Sequence, residues 1–287
     1  MTNAVPRIIS PWRELYKPKK YGIYVNDHSL IKARDGNWYL FGITSMSNDG
    51  PDTERYFTVG RGQSLAKGAF EEIGKVIDEG QRAWAPAVIE YEGLYYMYYG
   101  PGVTRMAVTN DPTHWMGHQI QVVGNPVMAV NRDHMVIPYE GGWLMYASGL
   151  RDGYSCVSLL RSEDLIRWEF QGYALTSSGN APLNPPCGAF ESPYVIKYRE
   201  VYYLFVTYTS SLPENYHNTL VFCSEDPCSF GDYNGDNHAE IVVAELPVHA
   251  GEMLQENGRY YITTCGWNGY HIPCEGGVAI AELEFTN

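Results

Sequence analysis

Apolar and aromatic runs of about five to seven residues alternate with brief polar turns along the whole 287-residue chain. No long segment carries the three-and-four spacing of an amphipathic helix or a heptad. The pattern also repeats. Superposing Ile31, Ile89, Ile137, Ile196 and Leu254 aligns five similar units at intervals of 58, 48, 59 and 58 residues. A polar turn follows each: R-D-G-N, Y-E-G, E-G-G, Y-R-E and E-N-G-R. An aromatic strand comes next: W-Y-L-F-G, L-Y-Y-M-Y-Y-G, W-L-M-Y-A-S-G, V-Y-Y-L-F-V-T and R-Y-Y-I-T-T. Glycine-bearing tight turns between β-rich runs are strong hairpin signals.

A third strand closes each unit: R-Y-F-T-V-G, R-M-A-V-T, Y-S-C-V-S-L-L, T-L-V-F-C and G-V-A-I-A-E-L. At the exit of three units stand T-N-D-P-T-H-W, S-E-D-L-I-R-W and S-E-D-P-C-S-F, ending at Trp115, Trp168 and Phe230. In each the aspartate is expected to cap the turn and the aromatic to cover the core. Five such units predict an all-β, five-bladed β-propeller forming a single domain over 1–287. Blades are expected at approximately 22–80, 81–128, 129–186, 187–246 and 247–287, with residues 1–20 an extension that completes the last one. A β-sandwich is the rival, but it gives no reason for a fivefold repeat.

Composition changes this picture little. The apolar fraction of 45% supports a substantial core, and 24 Tyr, 29 Gly and 17 Pro suit many short strands. A formal net charge of -13 disfavours nucleic acid as a partner and otherwise serves solubility. No apolar run reaches membrane-spanning length. The first fifteen residues hold no apolar signal core, so a cytoplasmic location is expected, or a periplasmic or secreted one had a leader been removed. Six cysteines are too few for a disulfide scaffold. Cys156, Cys223 and Cys265 read as small buried hydrophobes, while Cys187, Cys228 and Cys274 lie in turn-rich stretches where pairing stays open. No cofactor is required on this reading. In G-D-Y-N-G-D-N-H-A-E (231–240) the alternating Asp232, Asn234 and Asp236 resemble the start of a calcium loop, but Asn237 and Val243 stand where an EF-hand needs Gly and Glu. A polar loop is expected there, with structural calcium the minority option.

The chemistry concentrates just before the first strand of each unit, which in a propeller begins beside the axis. Four residues before the register position stand Asp27, Ala85, Asp133, Ser192 and Ala250; five before stand Asn26, Trp84, Arg132, Glu191 and His249. Asp27, Asp133 and Glu191 are the candidate catalytic carboxyls, because converging carboxyls are what cleavage of a glycosidic bond needs. A lone Asp before a strand is usually a turn former, but three at matching starts favour catalysis. Glu191 is one residue out of step with the aspartates, which calls for a bulge at Glu191-Ser192-Pro193 or a shifted alignment. Candidate substrate contacts are Asn26, Trp84, Arg132 and His249, together with His28 and His134 beside the aspartates. Trp84 reads equally as blade packing or as a stacking platform for a sugar ring. His249 is open between an ordinary hydrogen-bonded histidine, a substrate contact and the neighbour of an ion site. No metal ligand set is assigned.

The order N-D-H (26–28), R-D-H (132–134) and E-S-P (191–193), with S-E-D-L-I-R-W-E-F between the last two, resembles the five-bladed propeller glycosidases of families 32/68 and 43/62. The motif order is closest to family 32, although histidine replaces proline twice and serine replaces cysteine. That likeness implies Asp27 as nucleophile, Glu191 as acid/base, and Asp133 with Arg132 gripping ring hydroxyls. W-A-P-A-V (84–88) and the V-H of His249 are similar to family 43, which implies Asp27 as general base and Asp133 as the residue that orients and tunes the acid. Either way Glu191 needs a raised pKa, which nearby Asp27 and Asp133 would favour. The leading expectation is hydrolysis of a terminal furanoside such as fructose from an oligosaccharide. An inverting arabinofuranosidase or xylosidase is the near alternative, and a non-catalytic carbohydrate-binding propeller the rival from another class.

Overall fold

The computed structural model describes residues 4–115, the backbone of 120–121, and residues 132–181, 190–209, 216–270 and 273–286. The expected blade boundaries at 128/129 and 186/187 lie outside these, as does Cys187. Five sheets form a five-bladed β-propeller. Blade one is built from His28–Lys32, Trp38–Thr44, Tyr56–Gly62 and Glu71–Val76, and blade two from Trp84–Tyr91, Leu94–Gly100, Arg105–Thr109 and Ile120–Gln121. Blade three holds Arg132–Tyr139, Gly142–Arg151, Tyr154–Ser162 and Glu169–Ser177; blade four holds Phe190–Tyr198, Val201–Tyr208, Thr219–Ser224 and Val242–Leu246. Blade five joins Met253–Glu256, Arg259–Thr264 and Val278–Thr286 to the N-terminal strand Val5–Ile8, which pairs antiparallel with the C-terminal one from Val5↔Thr286 to Ile8↔Leu283. Arg13–Tyr16 pairs with the same C-terminal strand, so the two ends of the chain share one sheet.

Local chemistry explains the hairpins. Glu92-Gly93, Glu140-Gly141 and Asn257-Gly258 have φ of 49/84, 45/75 and 52/78°, the doubly positive turn whose twist matches the flanking strands. At the blade exits, Asp164 accepts the N–H groups of Ile166 (2.9 Å) and Arg167 (2.7 Å). Trp168 behind it is fully buried and stacks edge-on against Tyr98 at 5.7 Å. Asp111 takes the Thr113 N–H and Asp226 the Cys228 N–H in the same way, ahead of Trp115 and Phe230. These aspartates are turn caps.

The core is a ring of five apolar clusters, each filling the space between two neighbouring blades. Phe41, Phe57, Met97 and Tyr99 join blades one and two; Tyr98, Met145 and Trp168 join two and three. Leu144, Phe190 and Phe222 join three and four, and Phe205, Ile262 and Phe285 join four and five. The ring closes between blades five and one around Leu40, Tyr261 and the N-terminal Leu15 and Tyr16. Burying both faces of every sheet this way leaves a narrow channel along the axis.

Two features depart from the sequence expectation, the place of Asp232–Tyr233 and the partial exposure of Cys223. Asp232–Tyr233 belongs by position to the fourth unit, yet it runs parallel to Glu169–Ser177 at the edge of blade three. The loop that follows is polar and tied to the end of blade three: Asp232 accepts from Thr176 and Ser178 at 2.6 Å and Asp236 from Asn180 at 2.8 Å, while Asn234 accepts from the N–H groups of Asp236 and Asn237 within the loop. Cys156 and Cys265 are buried, but Cys223 is only partly so, because it lies near the outer end of its strand. Cys228 and Cys274 are free thiols.

Candidate active site

The backbone at the blade entrances sets the site. Ala85, Asp133, Ser192 and Ala250 are all left-handed, with φ of 49, 59, 49 and 47°. The strand register shifts just there in blades two, three and four, between Trp84/Ala87, Arg132/Met135 and Glu191/Tyr194. Left-handed non-glycine residues cost on the order of 1 kcal/mol or more each, so surrounding packing imposes them. Their effect is to break the alternation of faces. Two consecutive residues point toward the axis, one at the mouth and the next a level deeper. Glu191 therefore shares a level with Arg132, and its one-residue offset from Asp133 is real. Asp27 is not left-handed and touches both levels.

The upper level is a pocket of about 610 Å³ lined by Asn26, Asp27, Trp84, Arg132, Glu191 and His249, with Glu54, Tyr216 and Trp267. The lower level is the channel, about 330 Å³, where Asp133, Ser192, His28, His134 and Glu252 are found. Of the candidate substrate contacts, His28 and His134 thus sit beneath the pocket and not in its wall. Their rings are already engaged: His28 with Thr263 Oγ1 at 2.7 Å and Cys265 Sγ at 3.1 Å, His134 Nε2 with Thr104 Oγ1 at 2.8 Å. Burial depresses His28 to about 3 and His134 to about 4, so both are neutral.

Arg132 ties the carboxyls together. Its Nε lies 3.2 Å from Asp133 Oδ2 and a terminal guanidinium nitrogen 3.3 Å from Glu191 Oε2. Burial opposes the guanidinium charge, but Asp133, Glu191 and Asp27 outweigh it and raise its pKa. Asp133 Oδ2 also accepts from Ser148 Oγ at 2.7 Å and the Ser192 N–H at 3.1 Å. Ser192 in turn donates its hydroxyl to Asp27 Oδ1 at 2.9 Å, so one serine links the two aspartates. Burial raises Glu191 to about 8, with Arg132 pulling down and Asp133 and Asp27 pushing up. Burial and the charge of Asp133 raise Asp27 to about 7. Glu191 Oε1 is buried without a hydrogen-bond partner among the described residues, a place suited to a carboxyl proton.

The neutral wall is equally ordered. His249 Nδ1 lies 2.8 Å from the Cys265 carbonyl, which can only accept, so the proton sits on Nδ1 and leaves Nε2 an acceptor. Burial lowers His249 to about 4. Tyr216 stacks on it at 3.9 Å and 17°, and donates its hydroxyl to Asn26 Oδ1 at 2.8 Å. Trp84 donates its indole N–H to the Pro51 carbonyl at 3.2 Å while lining the pocket, so packing and an exposed platform coexist in one residue. Trp267 forms part of this pocket and of an adjoining cavity of about 460 Å³, where it meets Tyr24, Asn48 and Tyr270.

Glu54, Tyr216 and Trp267 escape the repeat alignment because they sit on loops outside its register. Trp267 stands three residues beyond the second strand of the fifth unit, R-Y-Y-I-T-T, where the repeat assigns no role. Glu252, in the channel, is half-buried. Its Oε2 accepts the Leu30 N–H at 2.7 Å, and burial raises its pKa to about 8. A carboxyl raised in the folded state stabilises below its unfolded pKa and loses that contribution as pH rises through the folded value. Glu252→Gln is therefore expected to lose less stability than the parent as pH rises from about 4.5 to about 8, measured by urea midpoints.

No protein-family model and no curated protein sequence matches the chain. The similarity is to solved structures. The RS223 β-xylosidase superposes with a TM-score of 0.63 at 16% identity, covering 92% of this chain and 93% of that one. A family 43 β-xylosidase/α-arabinofuranosidase from a compost microbial metagenome, solved with xylotriose, gives 0.64 at 17% over 98% and 95%. The family 32 β-fructofuranosidase of Bombyx mori gives 0.65 at 17%, over 97% of this chain and 62% of that one. The chain shares the five-bladed fold of the family 43 and family 32 glycoside hydrolases.

Proposed function

We propose that the protein is a glycoside hydrolase that removes a terminal pentose, arabinofuranose or xylose, from an oligosaccharide. The observation that carries this reading is the vertical order of the three carboxyls: Glu191 in the pocket wall, Asp27 reaching both levels, and Asp133 buried below and bonded to Arg132. Asp27 and Glu191 in the pocket, with Asp133 acting through an arginine, suit a base, an acid and a residue that orients the acid. Glu191, the higher of the two in pKa, gives its proton to the leaving oxygen as the bond to the anomeric carbon breaks. Asp27, ionised, takes a proton from the water whose oxygen bonds that carbon. Asp27 then gives its proton to solvent, and solvent returns one to Glu191. Trp84 and Trp267 offer faces for the ring, and Asn26 and neutral His249 offer polar atoms for its hydroxyls.

Solved relatives in fold carry xylose or xylotriose, which supports an oligosaccharide as ligand. A second reading, release of terminal fructose, is favoured by the N-D, R-D, E-S order and the likeness to the Bombyx mori enzyme. It would have Asp133 grip the sugar, and Asp133 is 4% exposed and already bonded to Ser148, Ser192 and Arg132. A panel of aryl arabinofuranosides and xylosides, arabinans, xylo-oligosaccharides and fructans tests the choice. Turnover of pentosides with an inverted first product by proton NMR is expected. Turnover of fructosides alone would reverse it, and tight sugar binding without turnover would mean a binding protein.

The carboxyl pKa values set the pH profile. Asp27 must be ionised, so kcat/KM should climb as pH rises toward about 7. Glu191 must be protonated, so it should fall beyond about 8. A bell with its maximum in slightly alkaline solution is expected; a plateau from acid pH down to the ordinary carboxylate range would contradict the assignment.

A further inference from the structure

Glu54 has no task in the hydrolysis above. It is 1% exposed, yet it lines the pocket beside Asp27, Arg132 and Glu191. Its only hydrogen-bond donors among the described side chains are uncharged: the Tyr24 hydroxyl and the Trp267 indole N–H, each at 3.0 Å. Taking a carboxylate out of water without a counter-ion costs several kcal/mol, and burial raises Glu54 to about 7. Such a group is expensive as a mere bolt for Trp267, a job that glutamine would do.

Both donors fall on Oε1, and Oε2 bonds no described residue. The backbone is clamped as well. Glu54 N–H donates to the Pro51 carbonyl at 3.2 Å, its own carbonyl accepts the Ala83 N–H at 2.9 Å, and Trp84 donates to the same Pro51 carbonyl. Tyr24 and Trp267 thus hold one carboxyl oxygen, and Ala83 and Pro51 fix the backbone of a residue that lines the pocket. A fixed acceptor without a donor, in a pocket of aromatic faces, matches the hydroxyl of a sugar ring.

We propose that Glu54 is a specificity-determining residue that accepts a hydrogen bond from one ring hydroxyl of the sugar on Oε2, while Tyr24 and Trp267 hold Oε1. This rests on the glycosidase reading. A site built to bond a hydroxyl rejects an analogue lacking it, because the buried acceptor is left unpaired.

The test compares the best aryl glycoside with its monodeoxy analogues at each ring position, using the unaltered protein, Glu54→Ala and Glu54→Gln. One analogue should be about 10²-fold poorer in kcat/KM than the full sugar for the unaltered protein, the cost of one buried acceptor left unpaired. In Glu54→Ala the full sugar should fall by a similar factor and that analogue should be no worse than it. Glu54→Gln keeps an acceptor for Tyr24 and Trp267 and so guards against a variant that fails to fold. It should shrink the same penalty at the same position. Deoxy penalties unchanged at every position in both folded variants would overturn the proposal while leaving the glycosidase reading intact. No turnover of any glycoside by the unaltered protein would defeat that reading first, and this one with it.

Discussion

Glu191→Gln should lower turnover of an oligosaccharide by about 10²- to 10⁴-fold, the usual range for losing a general acid, without harming the fold. The amide keeps the shape and an acceptor for Arg132, but it cannot deliver a proton to the leaving oxygen. Its folding stability should match or exceed that of the parent, because a carboxyl raised to about 8 by burial is one whose charge the fold resists. The loss should shrink for a dinitrophenyl glycoside, whose leaving group needs no proton. Asp27→Asn should be as damaging but show no such rescue, since the water still lacks its base. Steady-state kinetics on both substrates separates the two roles, and parent-like activity in either variant would remove that residue from the mechanism.

Arg132→Leu should cost about 3–5 kcal/mol of stability as well as activity. The guanidinium is the cation between Asp133 and Glu191, at 3.2 and 3.3 Å, with side chains 17%, 1% and 12% exposed. Removing it leaves two carboxyls in a buried site whose geometry was set around a positive charge. Breaking such a cluster on one side is far costlier than never having built it. Arg132→Lys should recover little, because one ammonium cannot present separate N–H groups to both carboxyls. Urea unfolding of both variants, with a change below about 1 kcal/mol, would show the cluster to be energetically idle.

The two effects have one physical origin. The fold gathers Asp27, Asp133 and Glu191 where water is scarce, which raises the pKa of Asp27 and Glu191 and leaves Asp133 and Glu191 sharing a single arginine. Catalysis would use the first consequence, and stability carries the second.

Some of this was legible residue by residue. The turns at Glu92-Gly93 and Asn257-Gly258 depend on local backbone preference, so hairpins could be placed from sequence. Asp164 and Trp168 likewise act within a few residues of each other. The position of Glu191 was different. Its offset from Asp133 called for a bulge or a shifted alignment, because strands are expected to alternate faces, and the register does shift between Glu191 and Tyr194. Only the left-handed residues at Asp133 and Ser192 show two levels, and that bend is imposed by packing around the axis. His28 and His134 read as pocket residues for the same reason: adjacency to an aspartate does not reveal which level the next side chain occupies. Glu54, Tyr216 and Trp267 were invisible because no repeat constrains the loops that carry them.

The sequence by itself determined what depends on neighbours in the chain: five β units, their turns and caps, and the inner strand starts where chemistry gathers. The alternation of apolar positions and the glycine-bearing turns act over only a few residues, which is why they can be read without a fold. Tertiary structure alone decided which of those groups share a pocket, which lie beneath it, and how far burial shifts their protons. These depend on distances between blades and on the loss of water, and neither is written in any one segment.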